Sequence, residues 1–111
     1  MAREQGSFKE SHYATLANAL TGLDAWLGTV DTAVGTATNV LLNVSVNVYT
    51  ENAGGDLFTQ KFTASLTATS DANMNNQTAH LITDGITAIV ADSGYTTVNR
   101  VEISATCTMS N

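Results

Sequence analysis

Three stretches of the chain alternate apolar and polar residues with a period of two. In residues 40–49, Val40, Leu42, Val44, Val46 and Val48 share one side, and Asn43, Ser45 and Asn47 take the other. In 57–68, Phe58, Phe62, Ala64, Leu66 and Ala68 oppose Thr59, Lys61, Thr63, Ser65 and Thr67. In 95–109, Val101, Ile103, Ala105, Cys107 and Met109 oppose Arg100, Glu102, Ser104, Thr106 and Thr108. A period of two predicts strands with one buried and one wet face. A second pattern steps by three and four through Tyr13, Leu16, Leu20, Leu23, Leu27, Val30 and Val34. That spacing predicts a long amphipathic helix. Ser7 and Glu10 have the spacing of a capping box at its start, and Gly35 stands where a C-terminal cap belongs. Gly22 and Gly28 lie inside this helix, so packing must hold it or it breaks near Gly28. A later helix, beginning at Asp71 or Asn75, has Ala79, Ile82, Ile86, Ile89 and Val90 as its apolar face and ends at Ser93-Gly94.

These elements predict an α+β fold: a two-layer sandwich in the order α-β-β-α-β. Its small mixed sheet has strand order 2-1-3 and carries both helices on one face. Leu41, apolar on the far side of the first strand, agrees with a central position. The second and third strands then become edges, with little charge and no proline to guard them. Residues 1–7 form an N-terminal arm and 8–111 a single domain. The arm is polar and has no reason in its own sequence to be rigid, so it is expected to lie on a neighbouring subunit.

Composition narrows the function. Of the 111 residues, 13% are charged and 43% hydrophobic, so hydroxyls and amides carry much of the solubility. The net charge is −6, and the four cations, Arg3, Lys9, Lys61 and Arg100, are scattered along the chain. Scattered cations do not make the clustered basic footprint of a nucleic-acid binder. No run approaches the roughly 18 apolar residues of a membrane helix. The first six residues have no hydrophobic core of a signal peptide, so export by that route is not expected. Cys107, the lone cysteine, reads as a small buried hydrophobe.

Candidate chemistry is sparse. Walker, dinucleotide and nucleophile-elbow motifs are missing. His80 and Asp84, four apart on a helix, read as a surface pair before they read as an oriented catalytic imidazole. A zinc site would need His12, His80, Cys107 and a carboxylate to converge without the usual paired spacing. Glu51, Asn52 and Asp56 around a hairpin tip offer few of the six to eight oxygens that calcium takes. Asp71-Ala72-Asn73 opens like an EF-hand loop but lacks its glycine and closing glutamate. Asp24 and Asp31, two turns apart, read as a solvated face. The expectation is therefore no enzyme, no cofactor and no metal.

In its helical stripe over 13–34 and its three strands the chain resembles small phage virion proteins, such as head decoration, head–tail joining and tail-terminator subunits. The resemblance rests on no diagnostic motif and transfers no residue. It implies a structural subunit of a large symmetric particle, located in the virion after assembly in the host cytoplasm. The expected partners are further copies and other structural proteins, with neither nucleic acid nor membrane among them. The alternative is a soluble binding module for a peptide or sugar. Trp26, Thr63, Ser104 and Arg3 are the expected interaction residues: Trp26 lies off the helical stripe, Thr63 and Ser104 sit on expected edges, and Arg3 belongs to the arm.

Overall fold

The computed structural model describes residues 2–111. The chain order is β1 (Arg3–His12), α1 (Leu16–Val34), β2 (Asn39–Glu51), β3 (Leu57–Ala68), α2 (Asp71–Ala79), a π-helical segment (His80–Ile86), α3 (Thr87–Asp92) and β4 (Thr97–Ser110). The four strands form one sheet in the order β1-β4-β2-β3, and every neighbouring pair is antiparallel. This corrects the expected α-β-β-α-β layout and the three-stranded mixed sheet of order 2-1-3. The α+β class stands. The strands run ten to fourteen residues, about twice the common length, and the molecule measures 55 × 19 × 17 Å.

The correction begins at the N-terminus. Ser7 to Glu10 is strand, not a helix start, and α1 begins at Leu16 after a turn at Ala14 with φ of 59°. Alternation decides this. Gly6, Phe8, Glu10 and His12 turn toward the helices, while Gln5, Ser7, Lys9 and Ser11 face outward. Only Phe8 in the inner row is a large apolar residue, so the pattern lacks the contrast that marks the other three strands. Residues 3–7, assigned above to an arm, are the first half of this strand.

The core lies between sheet and helices. Val40, Leu42, Val44, Val46 and Val48 of β2 and Val101, Ile103, Ala105, Cys107 and Met109 of β4 form its floor. From above come Ala19, Leu23, Leu27, Val30 and Val34 of α1, then Met74, Ile82, Ile86 and Val90. Burying such branched side chains supplies the main favourable free energy, about 1.5–3 kcal/mol each. Gly35 closes α1 in the left-handed conformation, φ 79°, and its N–H donates to the Asp31 carbonyl.

Two glycines set how closely α1 approaches β1. The Trp26 indole lies 3.3 Å from where a β-carbon on Gly6 would sit, and it stacks on Phe8 with ring centroids 5.3 Å apart. In the other direction, the Glu10 carboxylate occupies the space a β-carbon on Gly22 would need. Each glycine thus admits a bulky side chain from the facing element, which is why Gly22 stands inside a helix despite its propensity cost.

The second helical run starts at Asp71, where the Ser70 hydroxyl accepts from the Asn73 N–H at 3.1 Å. Its buried residues Met74, Thr78, Ile82, Ile86 and Val90 recur every four positions. At 3.6 residues per turn such a row drifts about 40° around an α-helix at each step. The π segment, with its wider turns, counters that drift and keeps the row on the sheet. Ile89, expected on the buried face, is 53% exposed.

At the far end, the buried Gln60 side chain donates to the Thr50 hydroxyl at 3.3 Å, to Ser93 Oγ at 3.1 Å and to the Tyr95 carbonyl at 3.4 Å. This network fastens the turn between α3 and β4 to the sheet.

Candidate interaction surface

Among the described residues, nothing forms a second layer on the sheet face away from the helices. The antiparallel register lays its side chains out in rows that cross β1, β4, β2 and β3 in turn. One row is Gln5, Thr108, Leu41, Thr67; the next is Ser7, Thr106, Asn43, Ser65. Then come Lys9, Ser104, Ser45, Thr63, and Ser11, Glu102, Asn47, Lys61. Apart from Lys9 at the β1 edge, the two central rows hold small hydroxyl and amide side chains, and a shallow trough runs across them between Ser7, Thr106, Asn43 and Ser65. The Ser65 hydroxyl donates to Asn43 Oδ1. Larger groups close one end: the Arg100 guanidinium lies 4.3 Å from the Tyr49 ring centroid and 3.8 Å from Glu102. Beyond this pair a bulge adds one residue to β4, so that Val98 pairs with Thr50 and packs against the core.

All four cations of the chain fall on this face. Arg3 pairs in register with Ser110, Lys9 with Ser104, Lys61 with Asn47 and Arg100 with Tyr49. Among the described residues Arg3, Lys9 and Lys61 make no ion pair. Sequence order scattered these residues; period-two folding of three strands gathered them on one side.

The structure separates the expected interaction residues. Thr63 and Ser104 share one row with Ser45 between them. Thr63 is on edge strand β3. Ser104 lies inside the sheet, flanked by Lys9 of β1 and Ser45 of β2, so the edge expected there is covered. Arg3 is exposed at the end of β1 on the same face. Trp26 is on the opposite layer, half-buried against β1. Sequence reasoning missed Ser7 as a member of the central rows, because the alternation of β1 has too little contrast to mark it as a strand.

The helix side offers less. His80 Nδ1 and Asp84 lie 2.9 Å apart with both side chains largely exposed. Asp24, expected on a solvated face, instead accepts from the Thr78 hydroxyl at 3.0 Å, and burial holds its carboxyl above the ordinary value. Asp71 is raised as well, first by burial and then by the charges of Asp31 and Asp24. His12 Nε2 meets Glu10 at 2.9 Å beneath α1. Burial, with a smaller contribution from Asp71, pushes the Cys107 thiol up to about 11, so it stays protonated and unreactive at neutral pH. At the hairpin tip, Asn52 and Asp56 bond to each other, through side chains and through the Asp56 N–H. Among the described residues no group of three or more His, Cys, Asp and Glu side chains is arranged to hold a metal ion. No helix among them is long and apolar enough to cross a membrane.

No family model and no curated protein matches the chain. Among solved structures, it is similar to a Y-family DNA polymerase chimera at 10% identity and a TM-score of 0.38, over 94% of this chain and 28% of that one. It is also similar to a complex of a beta-clamp processivity factor and the little finger domain of PolIV, at 8% identity and a TM-score of 0.30, over 92% and 86% of the two chains. The chain thus spans under a third of the polymerase chimera. Likenesses this distant carry no functional inference.

Proposed function

We propose that this protein is a non-enzymatic assembly subunit of a large symmetric particle, a phage virion component being the form we favour, and that its open sheet face is the contact surface. The observation that carries the reading is that face: four long strands wide, without a covering layer, and built in its centre from Ser, Thr and Asn. Protein interfaces are depleted in charge at their centre and polar at their rim. Here the only charge in the central rows is Lys9, at the β1 edge, and Arg3, Lys61 and Arg100 stand toward the ends. The scarcity of charge in the whole chain and the absence of catalytic motifs from its sequence point the same way.

Sedimentation of the purified chain across concentration tests this. The wild type should form discrete oligomers or larger particles. Asn43→Arg with Thr106→Glu, on the trough, should leave the fold intact by circular dichroism and shift the chain to monomer. A wild type that stays monomeric at high concentration would sink the proposal.

The trough itself favours one further reading, a module that holds a sugar or an extended peptide against the hydroxyls of Ser7, Ser45 and Ser104. Chemical-shift changes confined to these residues on titration with a glycan panel would support it.

A further inference from the structure

The two edges of the sheet differ, and the difference names a first contact for the assembly reading, on which this inference rests. Along β1, Glu10 and His12 point inward and Arg3 and Lys9 outward. Charges turned inward on an edge strand oppose the addition of another strand. β3 has no such guard. Over Leu57–Ala68 its single charge is Lys61 and it contains no proline. Its inner row is only half covered: Phe62, Ala64, Leu66 and Ala68 are part-exposed, and Phe58 is 50% exposed. Beside it an apolar groove opens between Leu66 and Leu81.

We propose that β3 pairs antiparallel with β3 of a second copy about a twofold axis at Thr63, fusing two four-stranded sheets into one of eight. The strand's own composition argues for a second copy as occupant. Its inner row is bulky in the first half, with Phe58, Gln60 and Phe62, and smaller in the second, with Ala64, Leu66 and Ala68. An antiparallel copy sets the bulky half against the small half: Phe62 faces Ala64 of the second copy, and Phe58 faces its Ala68. Lys61 faces Ser65. Centring the axis on Lys61 would oppose like charges.

The hydrogen-bonding groups fit this arrangement. The Phe58 carbonyl accepts from the Thr50 hydroxyl of β2 at 2.8 Å, whereas the Thr67 carbonyl accepts from Gln77 of α2 at 2.8 Å. Antiparallel pairing alternates the direction of these groups along a strand. Lys61, Thr63 and Ser65 therefore turn their N–H and C=O groups to the free edge, and Gln77 caps the ladder at Thr67.

Thr63→Cys tests the axis. The Thr63 pair is a hydrogen-bonded one, with β-carbons toward the upper end of the range of about 4.5–5.5 Å, so the disulfide forms after the strands close by about 1 Å. Mild oxidation should convert most of this variant to a covalent dimer, with Cys107 buried and silent, while Lys9→Cys on the guarded edge should stay uncrosslinked. Thr63→Pro should keep its circular dichroism and lose the dimer in sedimentation. If the wild type is oligomeric but Thr63→Cys does not crosslink, or Lys9→Cys crosslinks equally, assembly uses another surface; the β3 pairing falls and the assembly reading stands. If the wild type is monomeric at every concentration, both fall. Capture of a foreign peptide strand by β3 without self-pairing would also overturn the twofold contact.

Discussion

Glycines 22 and 28 share one helix and one intrinsic penalty, yet their surroundings assign them opposite fates. A β-carbon at Gly28 would meet nothing within 4 Å, whereas one at Gly22 would land on the Glu10 carboxylate. Gly28→Ala should raise stability by up to about 1 kcal/mol, the propensity difference alone. Gly22→Ala should lose that gain to the displaced carboxylate and recover it when combined with Glu10→Ala. Thermal melts of the three variants check both statements. Asp24 supplies a pH-dependent case. Burial raises its carboxyl, although the Thr78 hydrogen bond pulls it down. A raised carboxyl favours the folded protein while it is protonated. That contribution is complete below the unfolded value near 3.8 and is lost as the pH rises through the folded value. At neutral pH the charge is a cost, and it also raises Asp71. Asp24→Asn, which keeps an acceptor for Thr78, should therefore melt at or above wild type at pH 7, with the difference closing near pH 3. A variant less stable than wild type at pH 7 would refute this account.

At the scale of elements, β1 changes what a proline does to the sheet. Ser104 would be an edge position in a three-stranded sheet, but here β4 has neighbours on both sides. Ser104→Pro must break a ladder bond and strain an interior strand. Thr63→Pro removes a donor that faces outward. The first should unfold the protein or lower its melting temperature sharply; the second should cost far less. Equal effects in a melting comparison would contradict the strand order. The strands β2, β3 and β4 were legible because one row of each is apolar and the other polar. β1 was not, because its inner row includes Gly6, Glu10 and His12, residues whose inward placement depends on Trp26 and Gly22 of α1. The π segment was equally hidden: its sequence reads as ordinary helix, and only the row recurring every four residues, held against a flat sheet, demands the wider turn.

For the whole molecule, the cations and the aspartates of the helices are segregated. Each cation lies on the open sheet face, while Asp24, Asp31, Asp71, Asp84 and Asp92 belong to the helical layer or its ends. Subunits of net charge −6 repel one another, and a contact made through hydroxyls and amides gains little from ion pairing. Salt screens the repulsion more than it weakens such a contact. Association should therefore strengthen between low and moderate ionic strength, as sedimentation at two salt concentrations would reveal. Dissociation by added salt would instead indicate an interface held by the exposed lysines and arginines.

The sequence alone determined the α+β class, three of the four strands, the body of the long helix and the polar, weakly charged character of the exposed rows. Those properties are local, written in periods of two and of three to four residues. Tertiary structure alone decided that residues 3–12 make a fourth strand, that Ser104 is interior, that Thr63 sits on an unguarded edge, and that all four cations share a face. These depend on which strand lies beside which. Strand order is settled by packing across the core, between residues such as Phe8 and Trp26 that lie far apart along the chain.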